Sequence, residues 1–220
     1  AWRTYLKTTQ AQALFILGDL FEVWVGDDVV EDPAAHFERA CVASLKAASQ
    51  RLRVHFMCGN RDFLAGSALM RQSGMQMLED PAVLVLPAQR VLMTHGDAWC
   101  VDDHDYQSFR AEVRTPAWQQ QFLQRPLAER QALARAMRGA SETRKREHTT
   151  YADVDTALSL DWLNQTEADL LVHGHTHRPA THALPDARER WVLSDWDMHA
   201  PVPRAQVLRW QGQWQRIALA

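Results

Sequence analysis

The sequence predicts an α/β fold of two sheets interrupted by one helical insertion, and three observations carry that expectation. Apolar runs of strand length alternate with helical patterns: Ala13 to Leu17, Val54 to Cys58, Val91 to Thr94 and Leu170 to Val172. Each run ends in a short polar motif: Gly18-Asp19, Gly59-Asn60-Arg61-Asp62, His95-Gly96-Asp97 and His173-Gly174-His175-Thr176-His177. From Tyr106 to Thr150 the strand signals stop, and nine Lys and Arg stand against four Glu in a chain of net charge −3. In an open α/β sheet the strand ends on one edge are neighbours, and ligands gather there. Four distant motifs are therefore expected to converge on one pocket.

In chain order, Ala1 to Ala13 reads as the tail of an amphipathic helix, with Trp2, Tyr5 and Leu6 at helical spacing. A domain of this type is expected to open with a strand, so the sequence reads as one whose beginning is missing. Phe37 to Ser49 predicts a helix, because Phe37, Cys41, Val42, Leu45 and Ala48 fall at i, i+4, i+5, i+8 and i+11. Val83 to Leu86 and Arg90 to Thr94, separated by Pro87, predict a hairpin. Within the insertion, Pro126 and Gly139 bracket one helix. Thr156 to Thr166 is helical, Leu170 to Val172 a strand, and the end is β-rich: Trp191 to Leu193, Gln206 to Arg209 and Trp214 to Leu219, with a turn at Gln211-Gly212-Gln213.

A chain of 220 residues can bury a core as one domain. Hydrophobic residues at 46% and charged residues at 23% are an ordinary globular composition. No apolar run has the length of a membrane-spanning helix, and none reads as a signal peptide. Cys41, Cys58 and Cys100 are odd in number, scattered and without a C-x-x-C pair. That pattern predicts small core residues in a reducing, cytoplasmic setting rather than a disulfide frame.

The motif residues suit divalent cations. A carboxylate such as Asp19 can bridge two cations about 3.5–4 Å apart, as in two-metal hydrolytic sites. Asn60 offers a neutral hard carbonyl after Gly59, which permits a tight turn. The imidazoles of His95, His175 and His177 complete a mixed N/O set of the kind used by Mn, Fe or Zn. On an extended backbone His175 and His177, at i and i+2, would point the same way and serve different metals. Metal-assisted hydrolysis is the chemistry these residues predict.

In order, Gly-Asp, Gly-Asn, His and Gly-His-x-His resemble the signature of the calcineurin-like metallophosphoesterases. The resemblance implies their two-sheet αββα sandwich over residues 1–220, with a helical insertion at about 106–150. The flanking residues resemble the branch of that family acting on UDP-2,3-diacylglucosamine: Leu17 to Glu22 with Trp24 and Gly26-Asp27-Asp28, Gly59 to Leu64, His95-Gly96-Asp97 with Asp102-Asp103, and His173 to Pro179. It implies cleavage of that nucleotide-linked glycolipid to UMP and 2,3-diacylglucosamine 1-phosphate in lipid A biosynthesis, with two Mn ions. Asp19 and His177 would hold the first metal, and Asp19, Asn60, His95 and His175 the second. The family's opening strand and its Asp-x-His motif, which supplies two ligands to the first metal, are not found before Asp19. Asn60, Arg61, Asp103, Ser141 and His175 correspond to substrate-binding positions, while Lys145 and His148 fall near family contacts they do not match.

Most metallophosphoesterases carry His where this chain has Arg61. A guanidinium cannot donate its proton, but it can fork onto phosphate oxygens. A phosphate leaving group, with a second pKa of about 6, needs no general acid, so Arg61 predicts phosphoanhydride cleavage. Trp118, Phe122, Leu123, Leu127 and Met137 among Arg125, Arg130, Arg135 and Arg138 predict an amphipathic surface for acyl chains and anionic lipid. The expected partners are thus the glycolipid substrate and the cytoplasmic face of the inner membrane, held peripherally, with no nucleic acid and no obligate protein partner. The rival readings are a phosphoesterase on a soluble nucleotide or phosphodiester, and a non-catalytic scaffold without the first metal motif.

Overall fold

The apolar run Ala13–Leu17 forms strand β1, which pairs in parallel with β2 (Arg53–Met57); β2 pairs in parallel with β3 (Gln76–Leu78). A computed structural model describes residues 1–147 and 152–219, the side chains of 140–147 excepted. β4 (Ala82–Leu86) and β5 (Gln89–Thr94) form the expected antiparallel hairpin and begin a second sheet. That sheet continues through β6 (Leu170–His173), β8 (Glu189–Val192) and β7 (Thr181–Ala183), in the order β4-β5-β6-β8-β7. β9 (Gln206–Trp210) and β10 (Trp214–Ala218) make a separate hairpin about Gly212.

Side chains of a strand alternate between faces, and that alternation builds the layers. Met57, Val91, Met93, Leu170 and Val172 are buried together between the two sheets, with Leu208 and Trp214 of the last hairpin packed against them. Val54 and Phe56 turn the other way, onto Leu6, Leu45 and Leu69. These belong to helices α1 (Trp2–Thr8), α2 (His36–Ser49) and α3 (Ser67–Ser73). Across the second sheet, Leu92 and Leu171 bury against Trp99 and against Leu163 of a further helix, Thr156–Gln165. The order helix, sheet, sheet, helix is the αββα sandwich.

The insertion contains α4 (His104–Val113), α5 (Pro116–Leu123) and α6 (Leu127–Glu147); Thr156–Gln165 is therefore α7. Three expectations are corrected. The first helix stops at Thr8, not Ala13, since β1 has already begun at Ala13. Gly139 lies inside α6 rather than at its end: one helical glycine costs only about 1 kcal/mol, and the Arg, Lys and Glu that follow are good helix formers. The amphipathic surface is also narrower than predicted. Phe122 is buried in the core, with Trp118 and Leu127 packed against it. Arg130 is buried as well, bidentate on Asp28 and donating to the carbonyls of Val25 (2.5 Å) and Arg125 (3.0 Å). Phe109, Leu123 and Met137 are the insertion's large hydrophobic side chains exposed among the described residues.

Candidate metal centre

Asp19, Asn60, His95 and His175 each sit just past a strand, and the turns at Gly18 and Gly59 exclude larger residues. Gly18 has φ +82°, and a Cβ there would stand 2.5 Å from the Gly59 Cα. A Cβ on Gly59 would collide with the Asp19 carboxylate and backbone nitrogen. The two turns are packed backbone to backbone, and only glycine allows it. Asp19 itself takes the left-handed region, φ +54°.

Asp62 holds this junction. Its fully buried carboxylate accepts N–H bonds from Leu20 (2.7 Å), Gly59 (2.7 Å), Asp19 (3.2 Å) and Phe21 (3.4 Å). Burial first, and then the Asp19 charge, push its pKa up to about 6 against those bonds. Asp19 in turn accepts the Arg61 backbone N–H at 3.0 Å. Asp62 stands within a predicted motif, but residue type alone does not reveal this role; its position two residues after Asn60 is the only sequence signal.

His95 follows β5, and His175 follows β6 with φ +62°. Ligand atoms of Asp19, His95 and His175 all lie within 4.8 Å of one another. The Asn60 side-chain oxygen joins them, 3.0 Å from His95 Nε2 and 2.9 Å from His175 Nδ1. His95 Nδ1 lies 2.8 Å from the Leu17 carbonyl, so it must donate there. In the neutral ring that leaves the Nε2 lone pair facing the Asn60 oxygen and, at 3.7 Å, an Asp19 oxygen. Apart from the Asn60 backbone N–H at 3.4 Å, these are acceptor atoms facing one another, and either a proton on His95 Nε2 or a metal cation among them relieves the repulsion. Burial works against a proton on His95, yet the carboxylates of Asp19 and Asp97 and the Leu17 carbonyl outweigh it and raise the pKa. The donor set and its electrostatics both fit a divalent cation.

His177 lies apart from this group. It has φ +54° and is exposed; the Asp195 carboxyl near it is held low mainly by its hydrogen bond and charge pairing with Arg204, with His177 adding to them. With His175 and His177 both left-handed, the segment is not extended, and the expected same-side projection does not hold. Arg61 lies on the rim, its Nε 3.4 Å from Asp19 and its Nη1 2.5 Å from Glu22, which Arg138 of α6 also meets at 2.5 Å. Asp103 caps α4, accepting the Tyr106 backbone N–H at 3.1 Å. Ser141, Lys145 and His148 lie outside the described side chains.

Residues 1–179 match the family described as Calcineurin-like phosphoesterase. The chain is 44% identical over 200 residues to a "UDP-2,3-diacylglucosamine hydrolase" of Bordetella pertussis, covering 89% of this chain and 77% of the relative. A protein of the same name from Chromobacterium violaceum is 44% identical over 89% of this chain and 79% of its own. One from Aromatoleum aromaticum is 43% identical over 94% and 83%.

Proposed function

The chain belongs to the calcineurin-like phosphoesterase family, and from that membership we propose that it cleaves the pyrophosphate of UDP-2,3-diacylglucosamine. The products would be UMP and 2,3-diacylglucosamine 1-phosphate, in lipid A biosynthesis. It is a metal-dependent hydrolase; the substrate is the one named for its relatives. The observation that carries the reading is the convergence of Asp19, Asn60, His95 and His175 beside Arg61, a cation rather than a proton donor.

We take Mn2+ as the ion at two sites, the second formed by these four residues and the first by Asp19 and His177. Bound cations would supply Lewis-acid stabilisation of charge on phosphoryl oxygens and of an attacking water. The rest falls to the chain. The Leu17 carbonyl fixes the His95 tautomer, and Asp62 keeps the Asp19 and Asn60 turns together. Arg61 exchanges its carboxylate partners for non-bridging oxygens of the substrate and balances the charge growing at the α-phosphorus. Proton donation is not needed, because the group that leaves is itself a phosphate. Asn60, His175, Asp103 and Ser141 border the bound substrate. Phe109, Leu123 and Met137 meet acyl chains while Arg125 and Arg135 face anionic headgroups, with the protein held peripherally at the inner membrane's cytoplasmic face. No helix among the described residues is long and apolar enough to cross a membrane.

Incubation with UDP-2,3-diacylglucosamine and Mn2+ in H2 18O should release UMP carrying the label, and chelation should stop it. Release of UDP, or equal turnover of a deacylated UDP-sugar, would overturn the reading. Arg61→Lys should lower kcat/KM at least tenfold, about 1.4 kcal/mol, because a point charge cannot reproduce the planar fork. Unchanged kinetics would remove the clamp role.

A further inference from the structure

We propose that Arg114 is a positioning residue of the metal centre, through which α4 of the insertion sets the Asn60 ligand. The inference rests on the metal site described above and concerns residues outside its ligand set.

Arg114 closes the C-terminal end of α4, and its Nη2 donates to the Gly59 carbonyl at 2.9 Å. A peptide unit is planar, so a donor on the Gly59 oxygen fixes the plane containing the Asn60 nitrogen and Cα. The other edge of that plane, the Asn60 N–H, faces His95 Nε2 at 3.4 Å. Arg114 therefore holds from one side the peptide that meets a ligand on the other. Its guanidinium also lies over the Phe63 ring, 5.1 Å from the centroid, just past the same turn.

The anchor of Arg114 is Asp97, fully buried and 3.6 Å from Nη2. Asp97 also accepts from Arg110 Nε at 2.9 Å and the Tyr106 hydroxyl at 2.5 Å. The Tyr106 ring stacks on His175, centroids 5.9 Å apart. One interior carboxylate thus ties α4 to both the Asn60 and the His175 turns. Arg110 and Arg114 share the carboxylate, but only Arg114 reaches Gly59 in the hydrogen bonds described. That difference separates a positioning role from plain charge balance.

The test compares Arg114→Met with Arg110→Met, reading Mn2+ affinity by calorimetry and amide hydrogen exchange at residues 59–61 without metal. Outer residues that orient ligands are worth roughly 10- to 100-fold in metal affinity. Arg114→Met should weaken Mn2+ binding at least tenfold and speed exchange at 59–61, whereas Arg110→Met should hold affinity within about threefold. Arg114→Lys keeps a positive charge beside Asp97, so it guards against loss of fold. With one ammonium in place of the fork it should still weaken Mn2+ binding severalfold. Unchanged affinity in a folded Arg114→Met or Arg114→Lys protein, or equal losses in the Arg110 and Arg114 Met variants, would overturn the proposal. If the unaltered chain bound no Mn2+, the metal-site reading would fall and this proposal with it.

Discussion

Asp62 and Arg130 are both charged and both buried, and they are satisfied in different ways. At the strand ends, the Asp62 carboxylate collects four backbone N–H groups. In the insertion, Arg130 is met by the Asp28 side chain, 102 residues away in sequence, and by two backbone carbonyls. The ligand turns are specified by backbone geometry, so they demand glycine at Gly18 and Gly59 and tolerate almost no added volume. The insertion is specified by side chains from distant segments, so its attachment is a matter of packing and pairing. Chemistry that needs ligand atoms within a few ångströms sits on the first kind of scaffold. The second kind carries the surface that a variable part of a substrate would meet.

The largest expected effect separates the two regions directly. His175→Ala should reduce Mn2+-dependent hydrolysis by at least roughly a hundredfold while leaving the metal-free melting temperature within a few degrees. A His175→Ala protein with near-normal turnover would sink the ligand assignment. The insertion should show the opposite pattern. Phe122→Ala should lower unfolding free energy by about 3 kcal/mol, as for other buried phenylalanines. Arg130→Met should lower it by about 1–3 kcal/mol: Asp28 is half-exposed and returns to water, but two carbonyls lose their donor. Chemical denaturation measures both, and values under about 0.5 kcal/mol would mean the insertion is not docked as described.

The strand-end region should also register acid. Burial keeps His173 neutral, with its pKa lowered to about 4, whereas the unfolded chain protonates near 6.5. The unfolded state then binds the extra proton, so this contribution is fully present above about pH 6.5 and is lost as pH falls toward 4. The raised pKa values of Asp62 and His95 act in the opposite direction over the same window, so the His173 contribution is read by difference. From pH 7 to pH 5 the urea midpoint of the metal-free protein should drop more, or rise less, than that of His173→Gln. An identical pH profile for the two proteins would count against a buried neutral His173. Smallest in stability is Met137→Ser on the exposed side of α6, which should change unfolding by under about 1 kcal/mol. It should weaken turnover of the diacylated substrate more than that of a short soluble analogue; parallel changes would assign Met137 to structure alone.

Much of this was legible in the sequence, for a physical reason. The apolar runs of β1, β5 and β6 are one strand long, each followed within two residues by a glycine, so Gly18, Gly96 and Gly174 mark where backbone turns toward the site. Residue chemistry alone then nominates Asp19, Asn60, His95, His175 and His177, without distinguishing the last from the others. The short elements were not legible. α3 and β3 follow a loop that Asp27 organises, accepting N–H bonds from Gly66 and Leu69 at 2.9 Å across some forty residues. β7 carries no apolar run and exists by pairing with β8.

The same division runs through the individual residues. Periodicity marks Phe122 and Arg130 as two faces of an amphipathic segment, one for lipid and one for anions. Tertiary packing buries both, because a side chain's environment depends on what the rest of the chain brings to it. Likewise the spacing of His175 and His177 allows a common direction only if the backbone is extended, and two left-handed residues decide otherwise. Composition and order along the chain were enough to say which atoms can ligate a cation, since that is a property of each side chain. Which of them face one another, and that Asp62, Asp97 and Arg114 hold them there, depends on contacts between residues dozens of positions apart, which only the closed fold creates.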